Sequence, residues 1–442
     1  MKTMEDAYVI RGGKPLKGFV QLSGAKNVAL KTVIAALLFK GPVELHNIPE
    51  IRDIDELIHL LELLGAKTER TEGSLRIDAT TLSTHEVDML HGSKIRTSFL
   101  LFAPLLYRFG KASIPNPGGC RIGARPIDRI VNGMKNLGVK VNYESETGYY
   151  NATLSGKPKG NYVFEKPSHT GTEFMIMLSV FCEGVTKIEN AALEPEIDDL
   201  IAFLNEGGAK IKREGTSILV TGVESLSQKK PYKIMADRNE AVTYAILGLI
   251  TGGDVTVSFV ADSEFMTFVS AVKQVGGGVE KTDKGWRFFA KGPLSASQIV
   301  TDAHPGFMTD WQPNWAVLMT QAMGVSTIHE RVFENRFAYV AELQKLGARI
   351  EFDMKKIENP KDYYFFNYDD KKEYKQAIKI FGPQKLHNGV LTVSDLRAGA
   401  TLAIAALLTQ GESVVNGVSI MERGYEKFIE KVINLGGDIK RL

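Results

Sequence analysis

The chain is poor in cysteine, in charge of one sign and in long apolar runs, and each shortage removes a class of protein. Two cysteines, Cys120 and Cys182, in 442 residues are too few for a secreted disulfide framework and lack metal-ligand spacing. A reducing, cytoplasmic setting and no metal are expected. Lys and Arg number 54 against 52 Asp and Glu, so no whole-surface field draws nucleic acid or a membrane, and affinity for anions must be local. The longest apolar runs, such as 33–39 and 99–107, fall far below the roughly 20 residues that span a bilayer. The opening stretch MKTMEDAYVIRGGKPLKG carries acidic residues and glycines where a signal peptide would be apolar.

What is present is an ordinary globular composition, 44% hydrophobic and 24% charged, on a length that predicts two to four domains at about 100–200 residues each. The strongest architectural signal is an internal repeat. Helical patterns that end in a glycine and lead into a strand recur six times, with Gly65, Gly138, Gly208, Gly276, Gly347 and Gly436 at the turn. They lie about 70 residues apart except for a longer last step, the regularity of a repeat architecture. Ile54, Leu57, Leu60, Leu61 and Leu64 give the first copy a single apolar face, and the glycine supplies a left-handed C-cap. Each copy is preceded by a second helix that is apolar nearly all round, such as VALKTVIAALLF or AGATLAIAALLT, which marks it as buried.

The fold class is therefore α/β, with six modules of one internal and one external helix. They divide into two groups of three, with a break expected in the polar stretch 228–231. Residues 24–230 then form a first domain carrying the Cys120 loop, and residues 1–23 with 231–442 a second. Segment 7–23 has no partner before the first module and is expected to supply a strand to the second group. Segment 354–383, rich in Lys, Asp and Tyr and without helical period, reads as an exposed insertion.

One stretch stands out chemically. PNPGGCRIGARPID at 115–128 sets Cys120 on glycine-rich backbone beside Arg121 and Arg125, where a thiol pKa would fall and a phosphate would be held. The competing reading is a surface turn in which Cys120 is a small apolar filler. Lys26 and Asn27 follow a serine-glycine turn ahead of an apolar helix, where they either meet a phosphate or are solvated. Asp310 stands ahead of the apolar stretch 315–323, where it caps a helix, does chemistry, or both. Arg397 and Arg423 are anion ligands or surface ion pairs.

SGAKN at 23–27, PGGCRIGARPID at 117–128, EPEIDDL at 194–200, PGFMTD at 305–310, FENRF at 333–337, SDLRAGA at 394–400 and ERGYE at 422–426 follow one another in an order that resembles the enolpyruvyl transferases over essentially the whole chain. The branch resembled acts on a nucleotide sugar. The resemblance implies a two-domain inside-out α/β barrel, each domain three βαβαββ-type repeats around buried helices, with N-terminal strands returning to the second domain and the active site in the cleft between the two. It also implies transfer of the enolpyruvyl group of phosphoenolpyruvate to the 3-hydroxyl of UDP-N-acetylglucosamine through a tetrahedral adduct. Phosphate is released, as in the first committed step of peptidoglycan synthesis, with no cofactor and no obligate protein partner.

By the same resemblance Cys120 is the proton donor and the target of epoxide antibiotics such as fosfomycin, and Asp310 takes the hydroxyl proton. Lys26, Asn27, Arg125, Arg397 and Arg423 hold phosphoenolpyruvate. The nucleotide sugar falls to Arg96, Arg125, Pro126, Ile127, Asp128, Arg129, Lys166, Pro167, Ser168, His169, Asp310 and Val332. Glu194 and Glu196 are expected to anchor structure. Arg129, His169, Leu100 and Lys31 depart from the usual pattern, so a different nucleotide acceptor, or a silent nucleotide-sugar-binding paralogue, stands as an alternative. Shikimate-3-phosphate fits less well.

Overall fold

The computed structural model describes residues 6–118, 122–124 and 126–442. Gly65, Gly138, Gly208, Gly276, Gly347 and Gly436 all have positive φ, between 86° and 105°, the left-handed turn that glycine adopts without steric cost. At Gly65 a Cβ would also lie 2.6 Å from Ser83 Oγ and 2.9 Å from Thr81 O. Each turn joins an external helix to a strand: Arg52–Leu63 to Lys67–Thr71 in the first copy, Pro195–Glu206 to Lys210–Glu214 in the third.

The helix that precedes each external one is largely buried. In Arg238–Ile250 every residue is buried, and in Leu396–Leu408 only the last is not. The third copy shows the unit whole: strand Tyr162–Val163, internal helix His169–Ser179, strand Val185–Glu189, external helix, and the hairpin Lys210–Glu214 and Ser217–Thr221. Its sheet combines three antiparallel strands with the leading strand in parallel. Among the described residues five such sheets have four strands and one has three; in that one an isolated parallel bridge, Glu86 to Ser113, takes the leading strand's place.

The chain divides into two compact units, residues 24–119 with 126–235, and residues 1–23 with 120–125 and 236–442. Each has its own apolar core. The division falls later than the polar stretch 228–231, because Tyr232–Lys233 pairs in parallel with Val43–His46 and so belongs to the first sheet. Residues 122–124 also group differently from expectation: Asn335 N–H donates to Ile122 O at 3.2 Å, within the unit that contains 236–442. The N-terminal segment serves that same unit twice. Lys17–Val20 leads the fourth module's sheet in parallel with Asp254–Val257, and Ala7–Gly12 lies between Gly411–Asn416 and Asp438–Arg441, antiparallel to both. No helix among the described residues is long and apolar enough to cross a membrane.

Cys182 lies beyond the internal helix His169–Ser179. It is buried all the same, with Sγ 3.5 Å from Gly184 O and 3.6 Å from Val220 O. Segment 354–383 is not simply exposed. Ala377–Gly382 is an inner strand paired on both sides, and Tyr364 and Phe366 are buried in an aromatic cluster with Tyr368 and Tyr374. Tyrosines spaced without helical period still build a core when the loop folds on itself.

His329 backs this cluster. Its Nε2 lies 3.1 Å from Tyr364 Oη and its Nδ1 3.3 Å from Tyr363 Oη, one ring nitrogen donating and the other accepting in a neutral imidazole. Burial pushes its pKa down to about 4, with Lys355 and Arg331 adding to the effect. The unfolded chain takes up this proton below about pH 6.5, whereas the folded one resists it down to about pH 4. The stabilising contribution is therefore complete above the unfolded value and is lost as pH falls through that window. Urea unfolding at pH 7 and pH 4.5 should show wild type losing about 2 kcal/mol more than His329→Gln. Parallel losses in the two proteins would mean that the cluster does not hold the ring neutral.

Candidate active site

In the unit containing residues 236–442 the charged side chains gather where internal helices begin. Asp395 caps helix Leu396–Leu408, its Oδ1 accepting from the N–H groups of Arg397 and Ala398 at 3.1 and 3.2 Å, which satisfies two of the amides a helix start leaves open. Arg397, on the first turn, is only 7% exposed, with Nη2 3.3 Å from Asp310 Oδ2 and Nη1 donating to Tyr425 Oη at 3.3 Å. Burial alone would lower its pKa; Asp310 and Tyr425 override that, and the guanidinium is held charged above its ordinary value. Asp310 also pairs with Arg336, which is 3% exposed and whose Nη1 stands 3.6 Å from Asp395 Oδ1. Two carboxylates and two guanidinium groups thus alternate, the pairing that buried charge requires.

The helix that follows spans Gln312–Met319 with Trp311 at its cap and no side-chain cap bond; Asp310 stands ahead of it as an ion-pair partner. Tyr425 carries the network into the core. Its hydroxyl lies 2.8 Å from Thr243 Oγ1, Asn314 Nδ2 donates to the same oxygen at 3.0 Å, and Thr401 donates to Asn314 Oδ1 at 2.7 Å. One polar chain therefore links all three internal helices of the unit. Val332 is held through its backbone: its N–H donates at 2.7 Å to Glu330 Oε1, a carboxyl whose pKa burial raises. Arg423 ends the 3-10 turn Val418–Arg423 and is half-buried.

In the other unit Lys26 is the first residue of internal helix Lys26–Ala35, whose start carries no side-chain cap. Its Nζ lies 2.7 Å from Asp53 Oδ2, both side chains largely buried, so it is a held cation and not a solvated one. Asn27 follows, partly buried. Arg96 opens the 3-10 turn Arg96–Leu101, in which Leu100 is buried. Pro126 and Asp128 are exposed and Ile127 packs on the core. Arg129 Nη1 donates to Pro167 O at 3.4 Å, and Tyr162 Oη donates to Arg129 O at 3.0 Å, so Arg129 and segment 166–169 form one local group. Lys166 and Pro167 are partly buried. Ser168 caps helix His169–Ser179 by accepting from Gly171 N–H at 3.2 Å. Glu194, at the cap of Pro195–Glu206, and Glu196 are buried. Cys120 and Arg125 lie outside the described residues. Among the described residues no group of His, Cys, Asp and Glu is placed to hold a metal ion.

Sequence reasoning missed Arg336, Tyr425 and Arg238. Arg238 is buried at the first position of helix Arg238–Ile250, donating to Glu264 O at 3.2 Å and within 3.1 Å of His304 Nδ1. The signal was available. Aligning the six modules on their internal helices puts Arg238 in the fourth where Lys26 stands in the first and Arg397, one place on, in the sixth.

With this geometry in hand, comparison with known proteins gives a consistent result. The profile of EPSP synthase (3-phosphoshikimate 1-carboxyvinyltransferase) matches residues 10–432. The UDP-N-acetylglucosamine 1-carboxyvinyltransferase of Koribacter versatilis is 39% identical over 99% of this chain and 96% of its own. The protein of the same name from Wolbachia sp. subsp. Drosophila simulans is 38% identical over 96% and 97%. Among solved structures, the enolpyruvyl transferase NikO from Streptomyces tendae superposes with a TM-score of 0.84 at 22% identity, covering 99% of each chain. EPSP synthase from Acinetobacter baumannii does so at 0.73 and 17%, also covering 99% of each; these two likenesses establish the fold. The fold is thus that of a known architecture, and the chain belongs to the EPSP synthase family of 1-carboxyvinyl (enolpyruvyl) transferases.

Proposed function

We propose that this protein transfers the enolpyruvyl group of phosphoenolpyruvate to the 3-hydroxyl of UDP-N-acetylglucosamine, releasing phosphate, in the first committed step of peptidoglycan synthesis. The observation that carries the reading is near-full-length identity of 38–39% to proteins named for that reaction. Both substrates are polyanions, and the chain supplies buried or half-buried cations at helix starts to receive them. Lys26, Asn27, Arg125, Arg397 and Arg423 bind phosphoenolpyruvate. Arg96, residues 125–129 and 166–169, and Val332 bind the nucleotide sugar.

The reaction needs an acid for the methylene carbon of phosphoenolpyruvate and a base for the sugar hydroxyl. Cys120 gives its proton to that carbon while the 3-hydroxyl oxygen bonds to the carbon bearing the phosphate, and Asp310, held between Arg336 and Arg397, takes the hydroxyl proton. The tetrahedral adduct then loses the methyl proton it gained, the double bond re-forms, and the phosphate departs with the electron pair of its C–O bond. Arg397 and Lys26 stabilise charge on the phosphate throughout. The setting is the cytoplasm, in keeping with a chain of only two cysteines.

Phosphate release should require both phosphoenolpyruvate and UDP-N-acetylglucosamine; no release with the pair together would reject the proposed activity. Arg397→Ala should lower turnover roughly tenfold to a hundredfold, the worth of a lost charge-assisted contact of about 1.5–3 kcal/mol, and near-normal rates would remove Arg397 from the site.

Fosfomycin should add a single mass to Cys120 and none to buried Cys182. Cys120→Ser should escape labelling, and Cys120→Asp, which keeps an acid, should stay active while becoming resistant. Peptide mapping decides: label on Cys182, or unchanged turnover in Cys120→Ala, would assign the acid elsewhere.

A further inference from the structure

Lys31 sits in the middle of helix Lys26–Ala35, whose residues 28–35 are all buried. An ammonium group in that position needs a counter-charge. Glu173, on internal helix His169–Ser179 and 0% exposed, provides it, with Oε2 3.2 Å from Lys31 Nζ. The other oxygen of the same carboxylate, Oε1, lies 3.2 Å from Nε2 of His169, one turn earlier. One buried carboxylate is therefore shared by cationic partners on two helices. Neither contact is aligned as a hydrogen bond, so charge attraction is the main force between them.

Stability is a poor reason for such a cluster, because buried ion pairs commonly do no better than apolar side chains of the same volume. Its placement supplies a better one. His169 is the first residue of its helix, next to the Ser168 cap and to Pro167, whose carbonyl accepts from Arg129. The His169 side chain is 22% exposed while Nε2 has no accessible surface, so the ring keeps one edge against Glu173 and offers the rest outward.

We infer that Lys31 and Glu173 are positioning residues for the nucleotide-sugar site: Glu173, restrained by Lys31, fixes the ring orientation of His169, which then meets the acceptor's nucleoside diphosphate as an oriented imidazolium. This rests on the reading that segment 166–169 contacts the nucleotide sugar. The charged groups that act on His169 are Glu173 on its own helix, Lys31 on the first internal helix and Glu194 ahead of Pro195–Glu206, with the Arg129 guanidinium close by on Pro167 O. Burial and Lys31 disfavour the imidazolium; Glu173 and Glu194 outweigh them, and the pKa is raised. The imidazolium is complete at acid pH and is lost as pH rises through that raised value, so acceptor affinity should weaken in the same direction.

The test has two arms on the full chain. In the first, imidazole 15N shifts are titrated without substrate, with His169→Gln identifying the resonance. Glu173→Gln should move the His169 midpoint down by about one pH unit or more, and Lys31→Met should move it up. The double variant Lys31→Met/Glu173→Gln, which leaves no unpaired buried charge, should fold and also move it down. In the second, UDP-N-acetylglucosamine affinity is measured from pH 5.5 to 8.5. Wild type should weaken across the His169 midpoint, the double variant should weaken at lower pH, and His169→Gln should bind about tenfold more weakly at pH 6 with the break gone. An unmoved midpoint in Glu173→Gln and the double variant overturns the clamp whatever the substrate. Shifted midpoints with an unchanged binding profile overturn the positioning role alone. Shifted midpoints with no nucleotide-sugar binding by any variant overturn the acceptor reading, and the positioning role with it.

Discussion

A helix buried on every side cannot leave a charge at its start unless that charge is paired, and the architecture of this protein follows from that constraint. Lys26, Arg96, His169, Arg238, Asp310 and Arg397 each stand at or just before the start of an internal helix. Water does not solvate them fully, so protein groups do: Asp53 for Lys26, Glu173 for His169, Asp310 and Tyr425 for Arg397. Pairing of this kind holds cations in fixed geometry without leaving them exposed, and fixed cations stabilise developing negative charge without reorganising at the moment of reaction. Burial of the helices thus builds the structure and, at their N-terminal ends, fixes the cations on which the proposed function draws.

The two units meet the constraint differently. In the unit containing residues 236–442 the charges continue into a neutral chain of hydroxyl and amide groups, Tyr425, Thr243, Asn314 and Thr401, that crosses three helices. Such a network specifies a helix register, since a shift by one residue would orphan several groups at once. In the other unit the interior carries a full charge pair, Lys31 with Glu173. Buried charge is the more demanding solution, because removing either partner leaves the other uncompensated.

Much of this was legible in the residues. Glycine after a one-faced helix has few other uses, and six of them at regular spacing announced both the module and its turn. The two-stranded return of the N-terminal segment was half visible, as a stretch with no partner near it in the chain. What sequence could not show is who pairs with whom. Asp310 ahead of an apolar helix looks like a cap, and only the arrival of Arg336 from later in the same module and of Arg397 from the next makes it an ion-pair hub. Likewise Lys31 reads as an intrusion until Glu173, far along the chain, is seen beside it. The tyrosines of 354–383 carry no period because their cluster forms by a loop turning back on itself, a geometry that neither the helical nor the strand repeat encodes. The later unit boundary, past Lys233, was hidden in a two-residue parallel pairing too short to leave a pattern.

The strand Ala7–Gly12 is hydrogen-bonded between Gly411–Asn416 and Asp438–Arg441. A ribosome makes the first of these segments long before the other two. The unit built from residues 24–119 and 126–235 can be completed while synthesis continues, whereas the opening strand has to wait, unpaired and mostly apolar, until nearly all of the chain has emerged. Pairing across so much sequence is slow to nucleate, and an apolar strand kept waiting is open to wrong partners. Arg11, Lys14 and Lys17, which follow Tyr8, Val9 and Ile10 directly in the chain, place charge beside the waiting strand. Gatekeeping of that kind is needed during biosynthesis, before any substrate is met.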